Sequence, residues 1–65
     1  MTEPEPMPED RRRAVFLAVV EAQDGGATVA ASRDAVAERF GMTVPQVRAI
    51  EREGLDAGWP PLADW

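Results

Sequence analysis

The chain has no cysteine and no histidine. That removes disulfides, thiolate clusters and zinc sites as ways of holding a small fold together. Lysine is also missing, so all seven positive charges are guanidiniums, the group best suited to bidentate contacts with phosphate, carboxylate or a guanine edge. No apolar run is long: Ala14 to Val20 falls far short of the ~20 residues that cross a bilayer. Acidic residues stand where a signal peptide would be basic. A cytoplasmic protein is expected, with no membrane association.

With 65 residues the chain makes at most one small domain. Such a domain cannot enclose the multi-walled pocket that most enzymes need. No catalytic carboxylate pair, no nucleophile with a base and no glycine-rich phosphate loop is legible in it. The expectation is a binding module rather than an enzyme, without cofactor or metal, its core supplied by helix packing or by a partner.

The net charge of -5 is unevenly spread. Residues 1 to 10 hold Glu3, Glu5, Glu9 and Asp10 and no basic residue, which is -4; the remainder sets seven arginines against eight acids, which is -1. Residues 1–8, with three prolines, read as a disordered acidic arm. Arg11-Arg12-Arg13 follows directly. It is either a phosphate clamp or local compensation for the arm, and a short basic run after acids favours compensation.

A first helix is predicted from Glu9 or Asp10, whose carboxylates suit the positive end of the helix dipole, to Gln23, with Asp24-Gly25-Gly26 as its stop. Val15, Phe16, Val19, Val20 and Ala22 form its apolar stripe, leaving Arg12, Arg13 and Glu21 to solvent. Ala27 to Ala31 is too short for periodicity to decide and reads as a loop. Ser32 then caps a second helix from Arg33 to Phe40, with Val36 and Phe40 one turn apart on the core side. Gly41 stops it. Thr43 opens the third helix, forming a capping box with Gln46, and Pro45 in the first turn sacrifices no hydrogen bond.

At ~100° per residue, Val47, Ile50 and Gly54 share one side of this third helix, while Pro45, Arg48, Ala49 and Arg52 share the other. Gly58 ends it, and Trp59-Pro60-Pro61-Leu62 leaves as an extended tail. The fold class is therefore all-α: a small three-helix domain over 9–58, with a helix-turn-helix at 32–57, an arm over 1–8 and a Trp/Pro-rich tail over 59–65.

Val36 to Leu55, VAERFGMTVPQVRAIEREGL, resembles the helix-turn-helix of bacterial sigma factor region 4, the domain that recognises the promoter -35 element. The shared pattern places Val36, Ala37, Glu38, Phe40 and Gly41 in the first helix and its stop, and Thr43 at the cap. Val47, Arg48, Ile50, Glu51, Arg52 and Glu53 form the run V-R-x-I-E-R-E, its most specific part. The sequence departs at Gly54, where the family usually has alanine, and at Leu55-Asp56-Ala57-Gly58-Trp59, where the family continues into a basic segment. Regions that bind core polymerase and open the promoter are not seen, so a free-standing region 4-like module is expected.

The resemblance implies that Gln46, Arg48 and Arg52 face double-stranded DNA, with Thr43 and the helix N-terminus at a phosphate and helix 44–57 in the major groove. A role in bacterial transcription regulation follows, by a homodimer or beside a partner already on DNA. Alternatively, Arg48 and Arg52 pair with Glu51, Glu53 or Asp56, although two arginines at i,i+4 repel unless an anion faces them. The competing function is a protein-interaction module that docks to RNA polymerase, a sigma factor or another regulator. For the tail, Trp59 and Leu62 either fold back over a shallow core, or Trp59, Leu62 and Trp65 anchor a protein partner.

Overall fold

A computed structural model describes residues 7–60, which form three helices: α1 (Glu9–Asp24), α2 (Val29–Phe40) and α3 (Val44–Ala57). Each packs on the other two. No strand occurs among the described residues. None of these helices is long and apolar enough to cross a membrane.

α1 has no side-chain cap at Pro8, whose carbonyl accepts from Arg12 N at 3.0 Å. Glu9 and Asp10 in its first turn supply the favourable charge instead. The acidic arm expected over 1–8 lies outside the described residues as far as residue 6. Met7 does not belong to such an arm: it packs against the core, and its carbonyl accepts a hydrogen bond from Arg12 Nη1.

α2 starts four residues earlier than the capping pattern suggests. Its N-cap is Thr28, whose Oγ1 accepts from Ala31 N at 3.1 Å, so Val29 to Ala31 are helix and not loop. Ser32, expected as the exposed cap, is fully buried in the second turn. Its Oγ donates to the Val29 carbonyl at 2.7 Å and accepts from Gln23 Nε2 at 3.1 Å, joining α2 to α1. A hydroxyl bonded to the previous turn needs no cap position, and Ser32 satisfies its polarity inside the fold.

Gly41 closes α2 at φ 66 and ψ 40, a left-handed conformation that glycine adopts without steric cost. Met42 N then reaches back to the Ala37 carbonyl at 2.9 Å and Gly41 N to that of Glu38 at 3.3 Å, which satisfies the last carbonyls of the helix. Only Gly41, Met42 and Thr43 separate α2 from α3, a connection of helix-turn-helix length. α3 ends the same way at Gly58, where Trp59 N donates to the Gly54 carbonyl at 3.0 Å.

That reversal turns Trp59 inward. It is 5% exposed and meets Phe16 edge to face at a centroid distance of 5.9 Å, with the Arg13 guanidinium 5.3 Å over its ring. Trp59 is thus a core residue, completing the cluster of Val15, Phe16, Ala18, Val19, Val36, Ala37, Val47 and Ile50. Of the two readings of Trp59, folding back over the core is the one observed, and the exposed partner anchor is not: the αL closure at Gly58 carries the ring over α3 and onto α1. Leu62 and Trp65 lie outside the described residues.

Within the arginine run of α1, Arg13 is exposed as expected and Arg12 is not. Arg12 instead makes a two-point pair with Glu53 of α3, Nε to Oε1 at 2.8 Å and Nη2 to Oε2 at 3.1 Å. Arg11 donates to the Phe40 carbonyl at 3.1 Å, setting a cation on the negative end of α2. Arg13 pairs with Glu9 at 3.1 Å. Most of the run is therefore spent on the domain's own carboxylates and carbonyls.

Candidate nucleic-acid interface

The side of α3 turned away from the core carries Pro45, Arg48, Ala49, Arg52, Leu55 and Asp56, all exposed. Val47, Ile50 and Gly54 are buried on the opposite side, so the partition expected from helical spacing holds. Arg48 and Arg52 stand one turn apart across a shallow groove of about 460 Å³, to which Arg33 of α2 and Glu51 also contribute. Pro45 and Ala49 are short. Nothing bulky stands between the two guanidiniums and whatever approaches the helix.

Neither Arg48 nor Arg52 makes an ion pair among the described residues. Two of the three carboxylates of the same helix are engaged elsewhere, while the third, Asp56, is exposed in the same groove and forms no ion pair among the described residues. Glu53 turns to Arg12, and Glu51 accepts from Arg33 Nε at 2.6 Å in a pair whose carboxylate side chain is only 14% exposed. Charge-assisted bonds of this kind fix geometry as well as adding stability, and these two tie α3 to both neighbouring helices.

The run V-R-x-I-E-R-E therefore divides cleanly by role. Val47 and Ile50 fill the core, Glu51 and Glu53 clamp α3 in place, and Arg48 and Arg52 are left outward. Arg33 was read only as the first residue of a helix, and its place in the groove was missed. The signal for it lies in Glu51, eighteen residues away, which no local pattern connects to it.

Thr43 and Gln46 are placed at the same end of α3 but are occupied. Thr43 Oγ1 accepts from Gln46 N at 3.3 Å, and Gln46 Oε1 accepts from Thr43 N at 2.8 Å, the reciprocal capping box that the sequence predicts. Pro45 has no N–H. Of the first backbone groups of α3, Val44 N–H is the one left for a phosphate, beside the side-chain NH2 of Gln46, which donates to no group among the described residues. Thr43 is thus first a structural cap, and Thr43→Ala should lower stability by about 1 kcal/mol. Urea denaturation followed by circular dichroism measures this; an unchanged midpoint would contradict the capping assignment.

No family model, curated protein or solved structure matches this chain. The likeness to sigma region 4 rests on Val36 to Leu55 alone. Among the described residues no group of three or more acidic side chains is arranged to hold a metal ion.

Proposed function

We propose that the protein binds double-stranded DNA through α3, as a sigma region 4-like helix-turn-helix module of transcriptional control in the cytoplasm. The observation that carries this reading is the pair Arg48 and Arg52. They are two like charges on one exposed helix face, without an ion-pair partner among the described residues, while Glu51 and Glu53 of the same helix are tied to Arg33 and Arg12. Such a face accepts polyanionic backbone, and guanidiniums can also read guanine edges by paired hydrogen bonds. α3, ~21 Å long at 1.5 Å per residue, has the diameter to enter a major groove ~12 Å wide.

In this reading Arg48 and Arg52 contact bases or phosphates, Gln46 contributes its free amide donor, and Arg33 positions Glu51 rather than touching DNA. The near-neutral domain implies modest affinity for a single copy. The salt dependence of binding to duplex DNA tests the proposal. With about three phosphate contacts, a rise from about 50 to about 200 mM salt should cost roughly 40-fold in affinity. No binding at about 50 mM salt would instead favour the competing module, one that sets the same arginines against an acidic protein partner.

A further inference from the structure

α1 carries a second exposed feature that the DNA-facing reading does not use. Arg13, Leu17, Val20 and Asp24 follow one another at spacings of four, three and four residues, which puts them along one edge of the helix. Leu17 is 43% exposed, an unusual position for leucine in the middle of a helix that otherwise buries its aliphatic side chains. Val20 is half-buried, and beyond it lies a groove of about 260 Å³ walled by Phe16, Val19, Val20 and Leu55. Leu55 is 63% exposed.

The polar groups of this groove present hydrogen-bond acceptors. Asp24 is exposed and makes no ion pair among the described residues. Glu51 binds Arg33 through Oε2 only, and Gln23 has its amide nitrogen on Ser32, leaving its carbonyl oxygen. Glu21 and Asp24 also lie in the last turns of α1, with no basic residue there to offset the dipole. An apolar floor with an acceptor rim calls for an aliphatic side chain that has a cation one turn away.

The chain itself supplies that combination in Leu17, with Arg13 one turn before it. The spacing along the edge is palindromic and its charge is antisymmetric. An antiparallel second copy would therefore set Leu17 against Val20 of the partner and Arg13 against Asp24 of the partner, each contact occurring twice. We propose that two copies associate through this edge of α1, Leu17 of each entering the groove beside Val20 of the other, with an Arg13 to Asp24 ion pair at either end.

Such a contact is isologous, the same patch on both copies. The pair of Arg13 with Glu9 is exposed on both sides and costs little to exchange, while its guanidinium also lies over the Trp59 ring, which a turn toward Asp24 of a second copy would loosen. The interface is small, below the ~1,200 Å² of stable complexes, so the dimer forms at high concentration. Neither Arg48 nor Arg52 lines the groove that Leu17 fills, although Glu51 and Leu55 border both grooves.

Sedimentation equilibrium of the full chain without DNA, from about 10 µM to about 1 mM, tests this independently of any duplex binding. Self-association should appear within that range, and Leu17→Glu should abolish it. Asp24→Arg and Arg13→Asp, each of which sets like charges together, should weaken it about tenfold. Combining them restores opposite charges, and the double variant should regain affinity close to that of the parent. Leu17 and Asp24 are exposed, so their variants do not disturb the core, and circular dichroism checks the fold of each. A monomer throughout, a dimer indifferent to Leu17→Glu, or a double variant as weak as the singles would overturn the proposal.

Discussion

Replacing Gly54 with alanine should destabilise the domain by about 1–3 kcal/mol, although alanine is the better helix former. A Cβ built at Gly54 would stand 2.3 to 2.7 Å from three carbons of the Phe16 ring. That ring cannot retreat, because Phe16 is buried and braced by Trp59. Overpacking therefore outweighs the gain of up to ~1 kcal/mol in helix propensity. At about 4–8 °C per kcal/mol for a domain of this size, the loss is visible as a lower melting temperature. Shortening the obstacle should reverse the sign: with Phe16→Leu in place, Gly54→Ala should no longer destabilise. An unchanged or raised melting temperature for Gly54→Ala alone would show that α1 and α3 do not meet as closely as described.

Reversing both outward charges, Arg48→Glu with Arg52→Glu, should reduce duplex affinity by at least about 30-fold at about 50 mM salt, since each guanidinium contact is worth roughly 1–3 kcal/mol. Stability should stay within about 0.5 kcal/mol of the parent, because neither side chain is buried or paired among the described residues. The combination separates function from folding. Fluorescence anisotropy with a labelled duplex measures the first and thermal denaturation the second. Retained affinity with an intact fold would remove α3 from the interface.

The parts of this architecture legible in the sequence were those written locally. The Thr43 to Gln46 box, the glycine stops at 41 and 58, and the division of α3 into an aliphatic and an arginine side follow from residues within a few positions of one another. The start of α2 was misplaced because two cap-forming residues, Thr28 and Ser32, stand four apart, and only the burial of Ser32 against Gln23 decides between them. For Trp59 the sequence left two readings, folding back or anchoring a partner, and its neighbours alone do not decide between them. Its inward path depends on the αL closure at Gly58 together with the space that Gly54 leaves for Phe16. The partners of Arg12 and Arg33 were invisible for a simpler reason: Glu53 and Glu51 lie 41 and 18 residues away. These long-range pairs shape the candidate site, because they commit two of the three carboxylates of α3, Glu53 and Glu51, to neighbouring helices and leave Asp56 as the one without an ion pair beside Arg48 and Arg52 among the described residues.

The most direct test of α3 as a DNA-reading helix is an NMR titration of the isotopically labelled protein with duplex DNA at about 50 mM salt, a condition under which even modest electrostatic binding persists. The backbone amides of residues 44–56 on the exposed side of α3, and the guanidinium resonances of Arg48 and Arg52, should shift progressively, while those of Leu17, Val20 and Asp24 on α1 stay in place. Shifts confined to α1, or none across the titration, would contradict the assignment of α3 as the DNA-facing helix.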